Sequence, residues 1–569
     1  MTDYVPLLAG LLIVAWVLAW RARPELPAAV ERWLAGRATP VVFGVLPTLA
    51  AAWVWGGVRR VPVFHDEAAY LLQARIFASG RWASPPPPIP EFFEQFHVLV
   101  APVMASKYPP GHSLLMAPGA AIGLPGLVPL LLAGLAGTLL YLLARRAAGV
   151  WAAFLAWLLW MAAPANVAWR ASYLSENTSS AACLLALWLW VRWRDTGAAR
   201  WLAAAAVAVG WCAITRPLTA LLFALPLGIV TLAEVVRRRR WRSLAAGLAA
   251  GVATLSIIPL WSARTTGDWR VTPWAAYTRA YMDYDHPGFG EFGAPPTRML
   301  PPDVAQVNRG YRKGHRGHVV GQLPAIALSR AGELVKAVAL WDALELPATP
   351  FIAYAVMALL VAAMIWGAVE GPPEARFACA TVAAMFLGYL VYAHPPGWTL
   401  YYVELYPGLA FLAAVGLLRM LEAAARELKR PDVPRWRTRA ALLAAGVVAI
   451  AAVGNVAVER SDARTRQRAP RAFAALMRLV PDRRALVFVR YAPGHSPHQS
   501  LVQNAPDVAR ARLAFAYDRG ADNARLIRAM PGRALYLYDE AASKLRPLTP
   551  ADLARPVPAW EAPGHLPAR

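Results

Sequence analysis

The polar segment that follows an early apolar run carries side chains that could do chemistry. Asp66 and Glu67 stand shortly after the apolar run at 40–58, and the segment ends in Ser-Lys-Tyr-Pro-Pro-Gly at 106–111. Ionisable groups are costly to hold at a membrane boundary, so they mark candidate functional sites. A carboxylate can take a proton from an attacking hydroxyl, and the compact charge of Lys107 suits a phosphate. The pattern therefore predicts chemistry on a charged, lipid-linked substrate.

Each of these charged groups also has a structural explanation. Apolar residues recur at helical spacing from Glu67 onward, so Asp66 can cap a helix with Tyr70 on its next turn. Glu67 can complement the dipole of the same helix. A cap explains less well why two acids and His65 cluster where the helix starts. Lys107 can equally be an interfacial lysine whose stem snorkels to lipid headgroups.

A second short polar segment, 167–177, contains another acid. Glu176 stands where a helix re-enters the membrane, so it is either a dipole partner beside the cap Ser175 or a second acid in the cavity of Asp66. Arg170 could counter Glu176 or hold an anion.

Two further charged residues interrupt apolar runs. Arg216 separates two runs and precedes Pro217. Since a broken helix at a membrane face often lines a cavity, we favour a phosphate or carboxylate contact for Arg216 over snorkelling. Glu404 lies within an apolar run and needs a partner, such as an arginine of the same cavity. The other cavity candidates are Tyr108, His112, His394 and Tyr401.

The composition indicates a protein that lies mostly in a membrane. Of 569 residues, 58% are hydrophobic and 16% are charged, whereas soluble proteins carry about 25% charged residues. The 24 tryptophans suit interfacial aromatic belts. The net charge of +24 comes from basic residues between apolar runs, which anchor cytoplasmic loops, so we expect no nucleic-acid partner.

Metal and disulfide patterns are weak in the sequence. Cys183, Cys212 and Cys379 all lie in apolar runs and form no disulfide framework. His495 and His498 stand three apart without a third ligand nearby. We therefore expect no metal site and no required cofactor, and a divalent metal stays possible without support from the sequence.

A window of about 20 apolar residues predicts about twelve membrane spans, at 4–20, 40–58, 121–144, 149–166, 178–193, 201–215, 217–236, 243–262, 347–369, 377–394, 402–420 and 439–458. Arginine clusters alternate with loops that are poorer in bases, and the positive-inside rule places the clusters in the cytoplasm. The outer parts are then 59–112, 167–177, Arg216, 263–346, 395–401 and the tail after 459. We expect a mainly α-helical, polytopic membrane bundle at 40–458, preceded at 1–39 by an anchor span and a cytoplasmic linker.

Residues 459–569 have the pattern of a different unit. Short apolar strands are predicted at 485–489, 511–516 and 534–538, with a helical stretch near 523–530. Strands that alternate with helical patterns indicate a small α/β domain, which we expect outside the cytoplasm with a loose tail at 556–569.

The motifs resemble those of the GT-C superfamily of glycosyltransferases. An apolar span is followed by Asp-Glu-x-x-Tyr at 66–70, by Lys-Tyr-Pro-Pro-Gly at 107–111 and by Tyr-Leu-Ser-Glu at 173–176. Members of the superfamily are multi-span enzymes that use polyprenyl-phosphate sugars. The nearest branches are protein O-mannosyltransferases, the aminoarabinose transferase of lipid A, and transferases of lipopolysaccharide core.

The resemblance implies a role for the matching residues. It implies that Asp66 is the catalytic base, that Glu67 is its neighbour in the acceptor site, and that Lys107 contacts the lipid phosphate. Glu176 matches the acid of the second loop more loosely. Arg216 is assigned to the donor phosphate by its position alone.

The resemblance also implies a function and a location. We expect a multi-pass transferase of the bacterial plasma membrane that moves a sugar from a polyprenyl-phosphate donor to an envelope glycolipid or exported protein by one inverting displacement. Two alternatives stay open. A ligase for lipid-linked polysaccharide would carry similar acids and bases. A transporter or flippase would show internal repeats and mid-span charges, and the sequence shows no clear repeat.

Overall fold

The computed structural model describes residues 26–58, 60–290, 299–338, 350–493, 495–496 and 498–558. The predicted anchor span at 4–20 lies outside the described residues. So do two parts of the predicted outer loop 263–346, at 291–298 and 339–346, and the tail beyond 558.

The described part of the chain is mainly helical. Its helices are α1 Leu26–Ala35, α2 Thr39–Trp55, α3 His65–Ala78, α4 Gly111–Ala121, α5 Leu127–Ala162, α6 Pro164–Arg170, α7 Glu176–Thr196, α8 Ala199–Ala213, α9 Pro217–Arg238, α10 Trp241–Leu255, α11 Ile257–Thr266, α12 Pro273–Tyr281, α13 Pro302–Arg316, α14 Leu323–Val338, α15 Pro350–Glu370, α16 Pro373–Gly388, α17 Tyr406–Glu427, α18 Val433–Arg466, α19 Arg468–Arg478, α20 Asn523–Ala529 and α21 Pro550–Leu553. The strands are β1 Val98–Leu99, β2 Ala105–Ser106, β3 Ala485–Arg490, β4 Leu513–Tyr517, β5 Ala534–Asp539 and β6 Lys544–Pro547.

Six helical stretches among the described residues are long and apolar enough to cross a membrane. They are Leu127–Ala162, Pro217–Arg238, Trp241–Thr266, Pro373–Val391, Thr399–Glu427 and Val433–Arg466. The pair α1 and α2 would be a seventh, but its two helices are bent by 89°. A polytopic membrane protein is thus confirmed, while the count of twelve spans stays a prediction. Two of the predicted spans, 121–144 and 149–166, largely fall in α5, which is kinked at Gly149.

The longest helix, α5, lies at the centre of the bundle. It contributes Tyr141, Trp157 and Trp160 to a buried cluster that also contains Phe43 of α2 and Phe411 of α17. The rings of Phe43 and Trp157 stack at 4.4 Å. Because lipid tails are as apolar as these side chains, close packing of this kind stabilises helix association in a membrane.

The predicted strands near the C-terminus form one sheet of order β4-β3-β5-β6. β3 pairs parallel with both β4 and β5, and β5 pairs antiparallel with β6. Three of these strands lie within two residues of their predicted bounds, and β6 was not predicted. The missed strand contains two basic residues and a proline, so its composition is unlike that of a buried strand.

One face of this sheet packs against the first polar segment. Leu486 and Phe488 of β3 share a buried cluster with Leu72 and Ile76 of α3. The opposite face of the sheet packs against α19, where Val487 and Met477 share a buried cluster. Alternate residues of a strand point to opposite faces, so one short strand joins the two layers. The C-terminal sheet therefore helps to hold α3 in place.

Candidate active site

A two-strand hairpin brings distant parts of the first polar segment together. β1 pairs antiparallel with β2, so the residue before β1 faces the residue after β2. Accordingly, the Lys107 N–H donates to the His97 carbonyl at 2.8 Å. The hairpin is tied to α3 because the Ser106 N–H donates to Gln73 Oε1 at 3.0 Å. This pairing places His97, Lys107 and Tyr108 beside the N-terminus of α3.

Asp66, at the start of α3, is a carboxylate that solvent reaches. The side chain is 33% exposed. Its Oδ2 lies 3.2 Å from Nε2 of His65, and its Oδ1 lies 3.5 Å from Nε2 of His97. The Tyr108 hydroxyl donates to Oδ1. Burial lowers the pKa of His65 and takes the pKa of His97 well below its usual value, so both rings are neutral near pH 7. Asp66 thus has neutral polar partners on one side and solvent on the other.

His97 is the functional candidate that the sequence analysis missed. Its φ of 62° lies in the left-handed region, and its N–H donates to the Tyr277 hydroxyl at 2.9 Å. A residue other than glycine rarely keeps this conformation unless its surroundings impose it. The only signal in the sequence was a histidine on the same polar segment as Asp66.

Glu67 has a structural role that differs from the predicted one. Its side chain is fully buried (0% exposed), and its Oε2 accepts from the N–H groups of Val63 at 2.7 Å and Phe64 at 3.2 Å. Its Oε1 accepts from the Tyr173 N–H at 2.9 Å, and Arg60 forms an ion pair at 3.4 Å. Glu67, rather than the acid before it, therefore caps α3. Because both oxygens are occupied, the geometry does not support a place for Glu67 in an acceptor site.

Lys107 is buried beside the hairpin rather than extended toward lipid headgroups. Its side chain is 4% exposed and donates to Asp285 Oδ2 at 2.7 Å. The other oxygen of Asp285 accepts from the Tyr392 hydroxyl at 2.6 Å. The Lys107 nitrogen also lies 5.4 Å and 5.2 Å from the ring centres of Tyr108 and Tyr277. The snorkelling alternative is therefore wrong, and the lysine charge is balanced by a carboxylate.

A second charged cluster forms around Arg216. Its Nη1 donates to Glu176 Oε1 at 2.6 Å, and its Nε lies 3.7 Å from Glu404 Oε1. The Ser179 hydroxyl also donates to Glu404. The prediction that Glu404 has an arginine partner is confirmed. Two buried carboxylates thus share one guanidinium where α7, α9 and the 3₁₀ turn Thr399–Leu405 meet.

Tyr70 joins the two charged clusters. Its ring stacks on that of Tyr108 at 4.5 Å, and its hydroxyl donates to Ser175 Oγ at 3.1 Å. Ser175 directly precedes Glu176, and Tyr108 bonds to Asp66. The acids of the first and second polar segments therefore belong to one continuous network.

Two predicted cavity residues serve the packing of the helices instead. The Arg170 guanidinium lies 3.9 Å from the ring centre of Trp160, so it does not counter the acid of the second polar segment. His112 is fully buried, with Nδ1 2.8 Å from Thr178 Oγ1 and Nε2 2.9 Å from the Tyr173 carbonyl. Both ring nitrogens of His112 are thus occupied.

The two remaining candidates flank the second cluster. The rings of His394 and Tyr401 lie 4.6 Å apart, and His394 Nε2 is 3.2 Å from the Tyr402 hydroxyl. The Arg216 guanidinium lies 5.7 Å from the Tyr401 ring centre. Tyr401 is therefore the predicted aromatic residue that contacts this arginine.

A cavity of about 550 Å³ adjoins the second cluster and extends along the helices. It is lined by Glu404 at one end, by Leu187, Phe223 and Phe411 along its length, and by Arg194 at the other end. At 1.5 Å per helical residue, the stretch of α7 along it spans about 20 Å. Its apolar walls suit a hydrocarbon chain.

One part of the bundle matches a family model. Residues 107–262 match the family model described as dolichyl-phosphate-mannose-protein mannosyltransferase. The GT-C resemblance is confirmed. The prediction that the chain is an enzyme, a glycosyltransferase, is confirmed with it. The matched residues begin at Lys107 and include Glu176 and Arg216, whereas Asp66 precedes them.

Several solved structures are similar to the chain. ArnT from Cupriavidus metallidurans bound to undecaprenyl phosphate is 17% identical, with 81% of this chain and 85% of that chain covered and a TM-score of 0.47. The Archaeoglobus fulgidus oligosaccharyltransferase AglB, in complex with an inhibitory peptide and a dolichol-phosphate, is 14% identical, with coverages of 79% and 62% and a TM-score of 0.43. The arabinofuranosyltransferase AftD from Mycobacteria is 16% identical, with coverages of 89% and 35% and a TM-score of 0.38. No curated protein matches the chain.

Proposed function

We propose that the chain transfers a sugar from a polyprenyl-phosphate donor to a hydroxyl group of an envelope glycolipid or an exported protein. The observation that carries this proposal is the meeting of a solvent-reaching carboxylate, Asp66, with a buried cation, Lys107, through the Tyr108 side chain between them. The family model supports the donor class, since its description names a dolichyl-phosphate sugar.

The proposed reaction is a single displacement in which Asp66 acts as the base. The acceptor oxygen forms a bond to the anomeric carbon, and its proton passes to the Asp66 carboxylate. The bond from the anomeric carbon to the phosphate oxygen breaks, and its electron pair leaves with the polyprenyl phosphate. Attack opposite the leaving group inverts the anomeric centre. The step is complete without a redox partner or an activated nucleotide.

The donor phosphate would be held by the two buried cations. Lys107 and Arg216 are each balanced by carboxylates, so the arriving phosphate would replace Asp285 at Lys107 and compete with Glu176 at Arg216. Positive groups that face the leaving phosphate stabilise the charge that develops on it as the bond breaks.

The cavity beside Glu404 supports a lipid-linked donor. Its apolar length of about 20 Å suits the isoprenoid tail, and its mouth at Glu404 adjoins Arg216. Its other end is lined by Arg194, Arg237 and Arg238. By the positive-inside rule, these arginines support a cytoplasmic position for that end and an outer position for Asp66 at a bacterial plasma membrane.

The test is a transfer assay with the purified full-length chain in detergent or nanodiscs. Polyprenyl-phosphate hexose, pentose and amino-sugar donors are offered with extracted envelope lipids and with exported proteins, and mass spectrometry follows the product and the released polyprenyl phosphate. We expect one donor to be consumed by the wild type but not by Asp66→Asn. The matched control Asp268→Asn changes an aspartate that is 41% exposed and pairs with Arg270, so it should transfer normally.

The same assay separates the alternatives. Release of polyprenyl phosphate without a glycosylated product, or transfer at the wild-type rate by Asp66→Asn, would contradict the proposal. Transfer only of a whole oligosaccharide from a lipid-linked donor would identify a ligase. With the chain reconstituted in proteoliposomes, movement of the lipid between leaflets without bond cleavage would identify a flippase.

A further inference from the structure

The histidines around Asp66 have a geometry that their role as neighbours of a base does not explain. One donor atom each from His65, Asp66 and His97 lies within 4.8 Å of the other two. The three residues come from two separate parts of the fold, the start of α3 and the turn before β1. Two imidazoles and one carboxylate are a ligand set that suits divalent transition metals.

The distance of each histidine from Asp66 suits a shared ion. His65 Nε2 lies 3.2 Å from Asp66 Oδ2, and His97 Nε2 lies 3.5 Å from Oδ1. Two ligands that each stand about 2.0–2.1 Å from a tetrahedral zinc ion are about 3.3–3.4 Å apart. The separation of each histidine from its nearer Asp66 oxygen is therefore close to that of two ligands around zinc.

The backbone conformation of His97 and the hydrogen bonds that hold His97 and Asp66 are a second, independent observation. The His97 backbone is held in the left-handed region, with its N–H on the Tyr277 hydroxyl and its carbonyl on the Lys107 N–H. Strained residues of this kind cluster at ligand-binding sites. The Tyr108 hydroxyl donates to Asp66, which is the type of outer contact that orients a carboxylate ligand.

We propose that His65, Asp66 and His97 bind one divalent transition-metal ion of the zinc class. Three protein ligands leave a fourth position open, as in catalytic rather than structural zinc sites. Asp66 is partly exposed, so the open position faces solvent. The expectation of no metal site would then be wrong, because the sequence separates His97 from the other two ligands.

The use of the ion in transfer rests on the proposed function, whereas its binding does not. An ion at this place would hold the acceptor hydroxyl beside Asp66 and lower the pKa of that hydroxyl. The ring of His498, which stacks 5.5 Å from that of His65, would bring the C-terminal sheet next to the bound acceptor.

The test measures metal binding without relying on activity. The full-length chain is stripped with a chelator, reloaded with Zn²⁺, Mn²⁺ or Co²⁺, and analysed by elemental mass spectrometry and calorimetry. We expect one Zn²⁺ per chain. His97→Ala and His65→Ala should each weaken binding by more than the roughly 10- to 100-fold that loss of an outer-shell contact causes. His318→Ala, a buried histidine outside the cluster, is the matched control and should bind Zn²⁺ normally.

X-ray absorption of the Zn²⁺-loaded wild type keeps the test valid if a variant fails to fold. Two imidazoles and one carboxylate in the zinc shell are expected. No stoichiometric ion in the wild type, or unchanged binding in a folded His97→Ala, would overturn the site. Zinc binding with full transfer by the stripped enzyme would overturn its catalytic use. Zinc binding without any sugar transfer would leave the site standing and contradict the proposed function.

Discussion

The first polar segment and the helix ends around Arg216 contain similar charged side chains in opposite arrangements. Around Arg216, two carboxylates share one guanidinium, and all three groups are buried. Around Asp66, a phenol and two neutral imidazoles hold the carboxylate, and a third of its side chain reaches solvent. The buried charges around Arg216 are occupied by one another where the helices meet, whereas an acid with neutral partners keeps its basicity available to a substrate.

The same contrast is repeated between two adjacent residues. Glu67 is enclosed by backbone N–H groups and by Arg60, while Asp66 next to it is open. Two consecutive residues at the start of α3 therefore differ in role: Glu67 maintains the fold, and Asp66 can do chemistry. Substitutions that remove one charge at a time test whether the two kinds of acid differ in this way.

The largest loss of stability is expected for Arg216→Ala. It leaves Glu176 and Glu404 buried without their counter-ion, and breaking a buried pair in this way costs about 3–5 kcal/mol. We expect a low yield of folded protein and a strongly lowered Tm in detergent. The triple variant Arg216→Leu/Glu176→Gln/Glu404→Gln should recover much of the Tm because no charge is left unpaired. A normal Tm for Arg216→Ala alone would show that the cluster does not stabilise the bundle.

Glu67→Gln should destabilise the chain by a smaller amount. The amide group has one acceptor oxygen for several N–H donors, and each buried donor left without a partner costs about 1–3 kcal/mol. We expect a lower Tm with residual transfer per folded molecule. The matched control is Asp66→Asn, which should keep its Tm and lose transfer. If Glu67→Gln melts like the wild type and is inactive, Glu67 is catalytic after all.

Lys107→Ala should weaken donor binding more than acceptor binding. A hydrogen bond to a charged group contributes about 1.5–3 kcal/mol, which is roughly a 10- to 100-fold rise in the Kd of the donor. The variant also leaves Asp285 without its cation. Lys107→Ala/Asp285→Asn therefore serves as the control for folding and should bind donor as weakly as the single variant. An unchanged donor Kd in both variants would remove Lys107 from the phosphate site.

The smallest effect concerns Asp303, a buried acid whose bonded partner, the Tyr517 hydroxyl, is neutral. Burial raises the pKa of Asp303 to about 6. The folded state then binds more protons than the unfolded state between about pH 4 and pH 6, so the free energy of unfolding falls as the pH rises through that window. We expect Tm to fall by about 2–4 °C, and Asp303→Asn to remove this part of the slope. Equal slopes in both proteins would contradict the assignment.

Local patterns sufficed for several long apolar helices but not for the partners of the site residues. Asp66 and Lys107 could be selected because charged residues beside apolar runs are rare and costly. The pairing of Lys107 with Asp285 could not be predicted, because the two residues are far apart in the sequence and only the tertiary fold joins them. His97 was missed because its place depends on a hairpin of two-residue strands, which leaves almost no sequence signal.

The different roles of Asp66 and Glu67 also could not be predicted from the sequence. Both Asp66 and Glu67 could cap α3, and only the fold shows that Glu67 reaches back to the N–H groups of Val63 and Phe64. The C-terminal strands were predicted from their apolar runs, but their packing against Leu72 and Ile76 of α3 was not. Pairings between distant segments thus account for most of what the sequence left open.

The most direct test of the account measures donor binding and single-turnover transfer in the same samples of wild type and Asp66→Asn. A labelled polyprenyl-phosphate sugar is bound first, and acceptor is then added. We predict that Asp66→Asn binds the donor with nearly the wild-type Kd and transfers its sugar about 10²–10⁴-fold more slowly. Transfer at the wild-type rate, or loss of donor binding instead of transfer, would contradict the assignment of Asp66 as the base.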